Sequence, residues 1–580
     1  MSTDVGVRVP PPAPLPPVAR RTPVRPQEEP LDASRRTFLA LGLAGLGSGL
    51  SACGAPPTTT RAAPSSTAVS PSPSAAPRPL VVGAPSRVLT RDPVRAWDSE
   101  TFRVLRQVLE PLLGVDPDTG APTLKLAEHA LSEDALTHTL TLQRGLRFSD
   151  GTPCDAAAVV ANVGRWSEAA DGDPLPSAFV AAFGGGIADP DSAFAAVEAD
   201  DDRTVRIRLS RPLRHLPAAL GSPAFAVSSP ASWAAADADG VSPAGTGPYR
   251  FADDAEAAAV VEALHVPGET TVLAPNPEHR RDLPDLPVAA VPAWGRASTR
   301  LRELRRGHAD VIDVVAPGQL RPLVEAGTQV LPRDPFSVLY LGFNVDHPLM
   351  SSLYLRQAVA FAVDRPRLAR SDVFLQGTAI ADGLVPPALG VGVEDAPRYE
   401  INPERAGRLL EQAGYEGEPL ELMHPAGVAW PCLPEPERVA AMVAEDLGVV
   451  GIHVRPVPVP PDQDYLRAVV ERGSRALHLR GRDGLYRDAH AFLEPFARSG
   501  RAETRYLNPR VVEDVDAAAS ELDDERRREL HRRAHRALLL DLPALPLVHP
   551  ISALATGPRV GSYPSSPQLD EPFDRIDLRI

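Results

Sequence analysis

The sequence predicts a mixed α/β protein, because segments with strand patterns alternate with segments at helical spacing along most of the chain. Three observations carry this prediction. Residues 136–142 alternate strictly between apolar and polar side chains, as a half-buried strand does. Residues 101–113 repeat apolar side chains at helical spacing, and residues 405–413 are bounded by helix start and stop signals. No repeat of fixed period is present, which excludes solenoids and propellers.

The elements follow in chain order. Residues 80–83 form a short apolar run that suits a buried strand. The 101–113 segment places its apolar positions on one helical face: Phe102, Leu105, Val108, Leu109 and Leu112. After the 136–142 strand, glycines at 145 and 151 indicate turns.

The second half of the chain continues the alternation. Asn402 can cap the 405–413 helix, Pro403 suits its first position, and Gly414 suits its end. Residues 439–447 form one apolar helical face, ended by glycines before a strand-like 452–454. A helix opening at Asp523 precedes a strand near 545–548.

The N-terminal region indicates export. Arg35 and Arg36 precede an apolar run, 38–50, that is too short to span a bilayer as a helix. Small residues then lead to Cys53, which resembles the lipobox of bacterial lipoproteins. We therefore expect a leader with a twin-arginine signal over 1–52 and a lipid anchor at Cys53. The alternative is an accidental apolar stretch.

Residues 53–79 hold mostly Pro, Ser, Thr and Ala, and they bury too little apolar surface to offset the entropy of ordering. We expect a spacer between the lipid and the first domain. The mature protein would lie outside the cytoplasmic membrane and be tethered to its outer face.

Composition excludes several functions. The chain of 580 residues carries a net charge of −15, whereas a nucleic-acid-binding surface is basic. After Cys53 only Cys154 and Cys432 remain, which could form a disulfide or stay as two buried thiols. No zinc spacing, serine-hydrolase elbow, phosphate-binding loop or zinc-protease motif is present.

His531 and His535 lie four residues apart on a predicted helix, a spacing that could chelate a metal. Three arginines beside them, at 532, 533 and 536, would repel a cation. The sequence therefore predicts neither a metal nor another cofactor.

Five further stretches occur in a fixed order. They are Leu-Glu-Pro-Leu-Leu at 109–113 with Asp116 to Gly120; Thr-Leu-Thr-Leu-Gln-Arg-Gly-Leu-Arg-Phe-Ser-Asp-Gly-Thr-Pro at 139–153; Gly-Thr-Gly-Pro-Tyr at 245–249; Leu-Gly-Phe-Asn at 341–344 with Leu-Arg-Gln-Ala at 355–358; and Asn-Pro-Glu-Arg-Ala at 402–406 with Ala-Gly-Tyr at 413–415. Together they resemble the extracellular solute-binding proteins of family 5, the peptide, dipeptide and nickel receptors of ABC importers.

The resemblance implies a periplasmic-binding-protein-like fold of two lobes around a cleft, with an additional domain. Domain I would be discontinuous, built from 80–118, 250–335 and 546–580. Domain II would span 119–249, and domain III would span 336–545. We expect a monomer that binds a small solute or peptide and docks on ABC permease subunits.

By the same resemblance, residues 477–493 occupy the place where the family binds the α-amino group of a peptide. The resemblance makes Asp483 a candidate amine anchor and aligns Asp488 with a second family acid. The family's tryptophan is missing here, and three arginines crowd the segment: Arg480, Arg482 and Arg487. The arginines could bind a ligand carboxylate, lie in solvent, or pair with Asp483.

Four other positions are candidates. Trp430 could form a wall of the cleft or pack under a loop. Asn344 could contact ligand or hydrogen-bond backbone where the chain crosses between lobes. Gly245 and Gly247, followed by Tyr249, form a turn whose glycines permit unusual backbone angles, at or near the hinge.

The sequence thus predicts a lipid-anchored receptor of an ABC importer that catalyses no reaction. An extracytoplasmic sensor or scaffold on the same fold is the alternative. A secreted hydrolase would need a nucleophile and base brought together by folding.

Overall fold

The computed structural model describes residues 78–116, 119–132, 134–168, 175, 177–233, 242–498 and 501–579. All of them belong to one compact unit, Ala75–Ile580. The predicted signal with Arg35 and Arg36, the lipidation site Cys53 and nearly all of the spacer lie outside the described residues.

A seven-stranded mixed sheet forms around the predicted strand Leu80–Gly83, which is buried along its whole length. This strand runs parallel to both of its neighbours. The strands in spatial order are Tyr249–Phe251, Thr270–Pro275, Ala289–Pro292, Leu80–Gly83, Val311–Ile312, Ser552–Thr556 and Gln329–Arg333. Helices Ser99–Val108, Asp254–Leu264, Ala297–Arg305 and Pro317–Glu325 pack against it. The sheet therefore takes its strands from three separated stretches of sequence.

A four-stranded antiparallel sheet contains the second predicted strand, observed at Thr137–Leu142. Its spatial order is Ala127–Leu131, Thr137–Leu142, Thr204–Leu209 and Phe194–Ala199, with helices Ala156–Glu168 and Ala178–Phe183 nearby. Shorter elements follow its edges: strand pairs Glu110–Pro111 with Ala226–Val227 and Leu113–Val115 with Pro122–Leu124, helix Leu216–Ala219 and the 3-10 turn Pro223–Phe225.

A six-stranded mixed sheet forms the centre of the chain's second half. Its order is Ala379–Ile380, Ala544–His549, Val338–Phe343, Leu477–Arg482, Leu420–Pro425 and Val454–Val459. Nine helices are described around it: Leu353–Ala362, Arg365–Ala369, Pro403–Ala413, Pro436–Val449, Tyr465–Glu471, His490–Ala497, Arg501–Thr504, Pro509–Ser520 and Asp524–Asp541. The remaining elements are strands Val560–Ser562 and Asp577–Leu578 and the 3-10 turns Pro387–Leu389 and Phe573–Arg575.

The helix predicted at 405–413 is confirmed with its signals. It spans Pro403–Ala413, the Asn402 side chain accepts a hydrogen bond from the Arg405 N–H at 2.9 Å, and Gly414 is left-handed at φ 66°. The strand predicted at 452–454 is wrong in position, since pairing begins only at Val454.

The helix predicted at 101–113 is wrong at its end. It spans Ser99–Val108, and Glu110–Pro111 is a short strand. Pro111 explains the difference, because a proline disfavours the helical conformation in the residue before it. Leu109 and Leu112 are buried all the same, but in two different apolar clusters.

Cys154 and Cys432 are free and buried, and they lie in different apolar clusters. The two thiols therefore form no disulfide with each other. Within the described part of the chain, no helix has the length and apolar character needed to cross a membrane.

The Gly245–Gly247 turn is fixed by close packing. A Cβ atom on Gly245 would lie 2.0 Å from the Val108 carbonyl oxygen, and the Gly247 N–H donates to that same oxygen at 2.9 Å. We expected these glycines to adopt backbone angles that other residues resist. That expectation is wrong, because neither glycine has a positive φ. Tyr249 follows as a buried residue that starts a strand.

Candidate functional site

The candidate site is a cavity of about 1100 Å³, counted with its open mouth, between the six-stranded sheet and elements of the other two sheets. One wall is the start of helix Ser99–Val108, and a second is helix Ala178–Phe183. The opposite wall is the end of strand Leu477–Arg482 with the loop and helix that follow. Segments 430–432 and 568–569 complete the lining.

Asp98 is the N-cap of helix Ser99–Val108 and lies in the cavity wall. Its Oδ1 accepts a hydrogen bond from the Thr101 N–H at 2.8 Å. Its Oδ2 is buried and has no hydrogen-bond partner among the described residues. Burial raises the pKa of the Asp98 carboxyl to about 6.

Asp483 lies in the opposite wall, directly after strand Leu477–Arg482. Gly484 turns the chain there with φ 67°, and a Cβ atom on it would lie 2.6 Å from the Phe492 ring. Burial raises the pKa of Asp483 to about 6, although the nearby Ser99 side chain and Arg480 act to lower it.

Arg480 and Arg482 also line the cavity, and both form ion pairs with a buried carboxylate, that of Glu503. Glu503 contacts Arg480 Nη1 at 2.6 Å and Arg482 Nη2 at 3.4 Å. Its other oxygen accepts a hydrogen bond from the Tyr340 hydroxyl at 2.5 Å and lies 2.9 Å from His478 Nε2. Burial acts to raise the pKa of Glu503, but Arg480, His478 and Arg482 outweigh it and hold that pKa well below its usual range.

Two tryptophans form an aromatic wall. Trp97 and Trp430 meet edge to face, with ring centroids 5.9 Å apart, and the Trp97 indole N–H donates to Asp464 Oδ2 at 3.2 Å. Both rings, together with Asp98, also line a second cavity of about 370 Å³. The tryptophan pair and Asp98 thus lie between the main cavity and a smaller one.

Three predicted site residues lie outside the cavity lining. Asp488 accepts two hydrogen bonds from Arg527 Nη2, each of 2.8 Å. Arg487 stacks on the Phe336 ring, 5.4 Å from its centroid. Asn344 donates to the Gly473 and Arg475 carbonyl oxygens at 3.2 and 3.0 Å, which is the backbone role considered from the sequence.

His531 and His535 are buried. His535 accepts from the Leu384 N–H at 2.9 Å with one nitrogen and lies 3.0 Å from the Val391 oxygen with the other. The described residues contain no group of three ligating side chains arranged to hold a metal ion.

Several cavity residues are not predicted from the sequence: Trp97, Asp98, Ser99, Phe102, Arg106 and Glu494. Asp98 carries one signal, since an aspartate before an apolar helical run is a helix start. That signal locates a cap but not a cavity, because the facing wall comes from residues almost 400 positions later in the sequence.

The fold defines a class: a mixed α/β protein with the two-lobed architecture of periplasmic binding proteins, with a cavity between its sheets. The family model of bacterial extracellular solute-binding proteins, family 5, matches residues 121–504. The chain belongs to this family, and the resemblance in the sequence is confirmed.

Curated relatives include the glutathione-binding protein GsiB of Salmonella paratyphi A, which is 26% identical over 525 residues and is matched over 87% of this chain and 96% of its own length. GsiB of Escherichia coli K12 is 28% identical over 347 residues, covering 59% of this chain and 62% of that protein.

Solved structures share the fold. The dipeptide-binding protein of Pseudoalteromonas sp. SM9913 in complex with Met-Leu aligns with a TM-score of 0.76 at 19% identity, over 86% of this chain and all of that one. The murein tripeptide-binding protein MppA of Escherichia coli gives 0.75 at 20% identity, over 86% and 98%. NikA of Staphylococcus aureus in complex with Ni(L-His)2 gives 0.70 at 16% identity, over 87% and 100%.

Proposed function

We propose that this chain is the extracytoplasmic receptor of an ABC importer, and that it captures a peptide or peptide-like solute in the cavity between Trp97 and the 480–495 segment. One observation carries the proposal: in a family 5 chain, charged and aromatic side chains converge on one cavity from separate parts of the fold. Relatives named for glutathione, dipeptides and tripeptides support this class of ligand.

Asp483 is the proposed partner of the ligand's amino group, and Trp430 the proposed apolar wall. Arg480 and Arg482 are the proposed partners of a ligand carboxylate, with Glu503 fixing their direction. Asp488, Arg487 and Asn344 would then act by supporting the walls, since each contacts other parts of the protein.

The proposed lobes are a discontinuous domain I on 80–118, 250–335 and 546–580, domain II on 119–249, and domain III on 336–545. Two of these bounds fall inside observed strands, Tyr249–Phe251 and Ala544–His549. The crossings near Gly247 and Asn344 are the proposed hinge. Ligand would favour the closed form because only that form contacts it from both sides. The receptor would act as a monomer and perform no reaction.

Isothermal titration calorimetry with Met-Leu, reduced glutathione and Ni(L-His)2 tests the ligand class. We expect the peptides to bind and Trp430→Ala to weaken that binding by about tenfold or more, because buried aromatic contacts dominate small interfaces. Trp233→Ala is the matched control, since Trp233 contacts Arg165 and Ser228 outside the cavity lining. Folded protein that binds no peptide would contradict the proposal.

Uptake of the labelled ligand by cells that lack the chain tests the delivery step. We expect uptake to fall and to return when the chain is supplied again. Normal uptake together with loss of a transcriptional response to the ligand would instead favour the sensor.

A further inference from the structure

A third cavity adjoins the main one. It measures about 1110 Å³, counted with its open mouth, and we call it the lateral cavity. Its walls include strands Leu113–Val115 and Pro122–Leu124 and the segment 563–575 near the end of the chain. Arg106 and Pro223 line both the main and the lateral cavity. The lateral cavity is therefore a side compartment of the candidate site.

One face of helix Ser99–Val108 leads from the main cavity to the lateral one. Ser99, Phe102 and Arg106 are spaced three and four residues apart, so they share that face, and all three line the main cavity. From Ser99 to Arg106 the helix covers about 10 Å. An extended dipeptide covers about 7 Å and a tetrapeptide about 14 Å. A tetrapeptide that lies along this face therefore reaches past Arg106.

An ion pair lies where the two cavities meet. Arg106 Nη1 is 3.4 Å from Asp570 Oδ1, and the two side chains are 17% and 30% exposed. Asp570 lines the lateral cavity, while its neighbour Leu569 lines the main one. Ion pairs that water reaches contribute little stability. A ligand carboxylate can therefore compete with Asp570 for the Arg106 guanidinium, which binds carboxylates in a bidentate geometry.

The described lining of the lateral cavity carries an excess of positive charge. Three of these residues are basic and one is acidic: Arg106, Lys125, Arg575 and Asp570. Lys125 Nζ lies 3.4 Å from the Glu110 carboxylate. That buried carboxylate already accepts two hydrogen bonds from Arg280, at 2.5 and 3.0 Å. One acid thus serves two cations there, and the lateral cavity suits an anion.

We propose that the lateral cavity binds a carboxylate of a ligand that extends past Arg106 from the main cavity. Lys125 and Arg575 attract that carboxylate, and Arg106 exchanges Asp570 for it. The proposal rests on the proposed function, since it extends the cavity of the peptide receptor to longer ligands that end in an acid. A dipeptide ends within the main cavity, where the two arginines paired with Glu503 stay the proposed partners of its carboxylate.

Calorimetry with Met-Leu, Met-Leu-Ala-Ala and the C-terminal amide of that tetrapeptide provides the first test. We expect amidation to weaken wild-type binding of the tetrapeptide by about tenfold, as loss of a charge-assisted contact does. Lys125→Met keeps an unbranched side chain and removes the charge. It should weaken binding of the free tetrapeptide by about threefold to tenfold and narrow the gap to the amide, while the affinity for Met-Leu stays unchanged.

Arg321→Gln is the matched control for loss of a positive charge. Arg321 is 87% exposed, pairs with Glu325 of its own helix and lies outside the lining of both cavities. It should leave all three affinities unchanged. Arg575→Gln is a second variant that leaves the pair of Lys125 with Glu110 intact, and it should act as Lys125→Met does. Thermal unfolding of each variant shows whether the fold is retained.

The lateral cavity has a spectroscopic readout of its own, because Lys125 is the only lysine in the sequence. Reductive ¹³C-methylation keeps the charge of Lys125 and adds one lysine signal to the NMR spectrum, which comparison with Lys125→Met identifies. Met-Leu-Ala-Ala should shift this signal, whereas Met-Leu should leave it in place. A merely structural role of Lys125 would give no difference between the two peptides.

The outcomes separate this inference from the proposed function. If Met-Leu binds but the tetrapeptide does not, or binds regardless of amidation and leaves the Lys125 signal in place, the lateral carboxylate site is wrong and the peptide receptor stands. If no peptide binds but citrate, a tricarboxylate, shifts the Lys125 signal in the wild type and not in Arg575→Gln, the carboxylate site stands and the peptide receptor is wrong. If none of these probes has an effect, both are wrong.

Discussion

At the scale of single residues, Glu503 organises one wall of the cavity. Its carboxylate is 1% exposed and contacts Arg480, Arg482, His478 and Tyr340. Without it, the guanidinium groups of Arg480 and Arg482 would lose the one carboxylate that contacts them both. A buried acid that no motif marks thus holds two of the proposed ligand contacts in place.

Glu503→Gln should destabilise the protein by about 3–5 kcal/mol, because removing one partner leaves buried charges unpaired. Urea unfolding at pH 7 measures the change, and Glu525→Gln on an exposed helix surface is the control with little expected effect.

The stability difference between the wild type and Glu503→Gln should depend on pH. The folded pKa of Glu503 is depressed, so its contribution is complete above the unfolded value of about 4.3 and is lost as pH falls below it. The difference between wild type and Glu503→Gln should therefore shrink in acid. A constant difference from pH 7 to pH 3 would contradict this role.

At the scale of elements, the Gly245–Gly247 turn is held against the end of helix Ser99–Val108. Thr246 Oγ1 donates to Glu110 Oε2 at 2.9 Å, and Glu110 pairs with Arg280 at 2.5 Å. The turn therefore contacts the end of helix Ser99–Val108 and the short strand Glu110–Pro111, and the chain then enters the seven-stranded sheet at Tyr249.

Gly245→Ala should destabilise the protein by about 1–3 kcal/mol or more, because the new methyl group meets the Val108 carbonyl oxygen at 2.0 Å. Gly407→Ala is a control with the same change of residue type, for which we expect the opposite effect on the free energy of unfolding. Gly407 is in helix Pro403–Ala413 with nothing within 4 Å of its added Cβ, so alanine should stabilise by about 0.5–1 kcal/mol. Denaturant unfolding of both variants checks the pair, and equal effects would contradict the packing explanation.

The same elements show what sequence can predict. Helix Pro403–Ala413 carries its signals locally, in Asn402, Pro403 and Gly414, so the sequence predicts its bounds to within two residues. Strand Leu477–Arg482 pairs with residues more than 130 positions earlier, so the cavity at its end depends on contacts that no local pattern encodes. Asp483 was found through the family motif, whereas Asp98 needed the three-dimensional structure.

At the scale of the whole molecule, buried histidines from distant parts of the sequence lie close together. His215, beside helix Leu216–Ala219, stacks on His490 with ring centroids 3.8 Å apart. Asp488 and Arg527 act electrostatically on both His215 and His531. Burial lowers the pKa of His215 and His531 to about 4 and holds the pKa of His490 well below its usual range.

Stability should fall as pH drops from about 6.5 to about 4. The unfolded chain binds protons at its histidines below about 6.5, while the folded protein keeps these three neutral. His531→Leu should make the decline shallower, whereas exposed His129→Leu should not. Chemical unfolding across this range measures the slope, and a wild-type stability independent of pH would contradict the prediction.

Anchoring concerns the whole molecule too. Cys53→Ala should release the protein from the membrane fraction while leaving ligand affinity unchanged, because the proposed anchor and the expected 53–79 spacer precede every cavity-lining residue in the sequence. Fractionation followed by calorimetry tests both parts. Lost affinity in the released protein would show that anchor and site are coupled. Mass spectrometry of the mature N-terminus would identify acylation directly.

The buried cluster around Arg333 has a consequence for biogenesis. Arg333 bonds Asp313 at 2.7 Å and Glu571 at 2.6 Å, and the Gln107 side chain donates to the Glu571 carbonyl oxygen 464 positions later. Gln568 and Leu569, from the same late segment, line the cavity. Contacts between such distant residues form slowly during folding. A nascent or truncated chain that lacks this late segment also lacks part of the cavity lining. Under the proposed function, ligand binding would therefore require a chain that has been synthesised at least through Leu569.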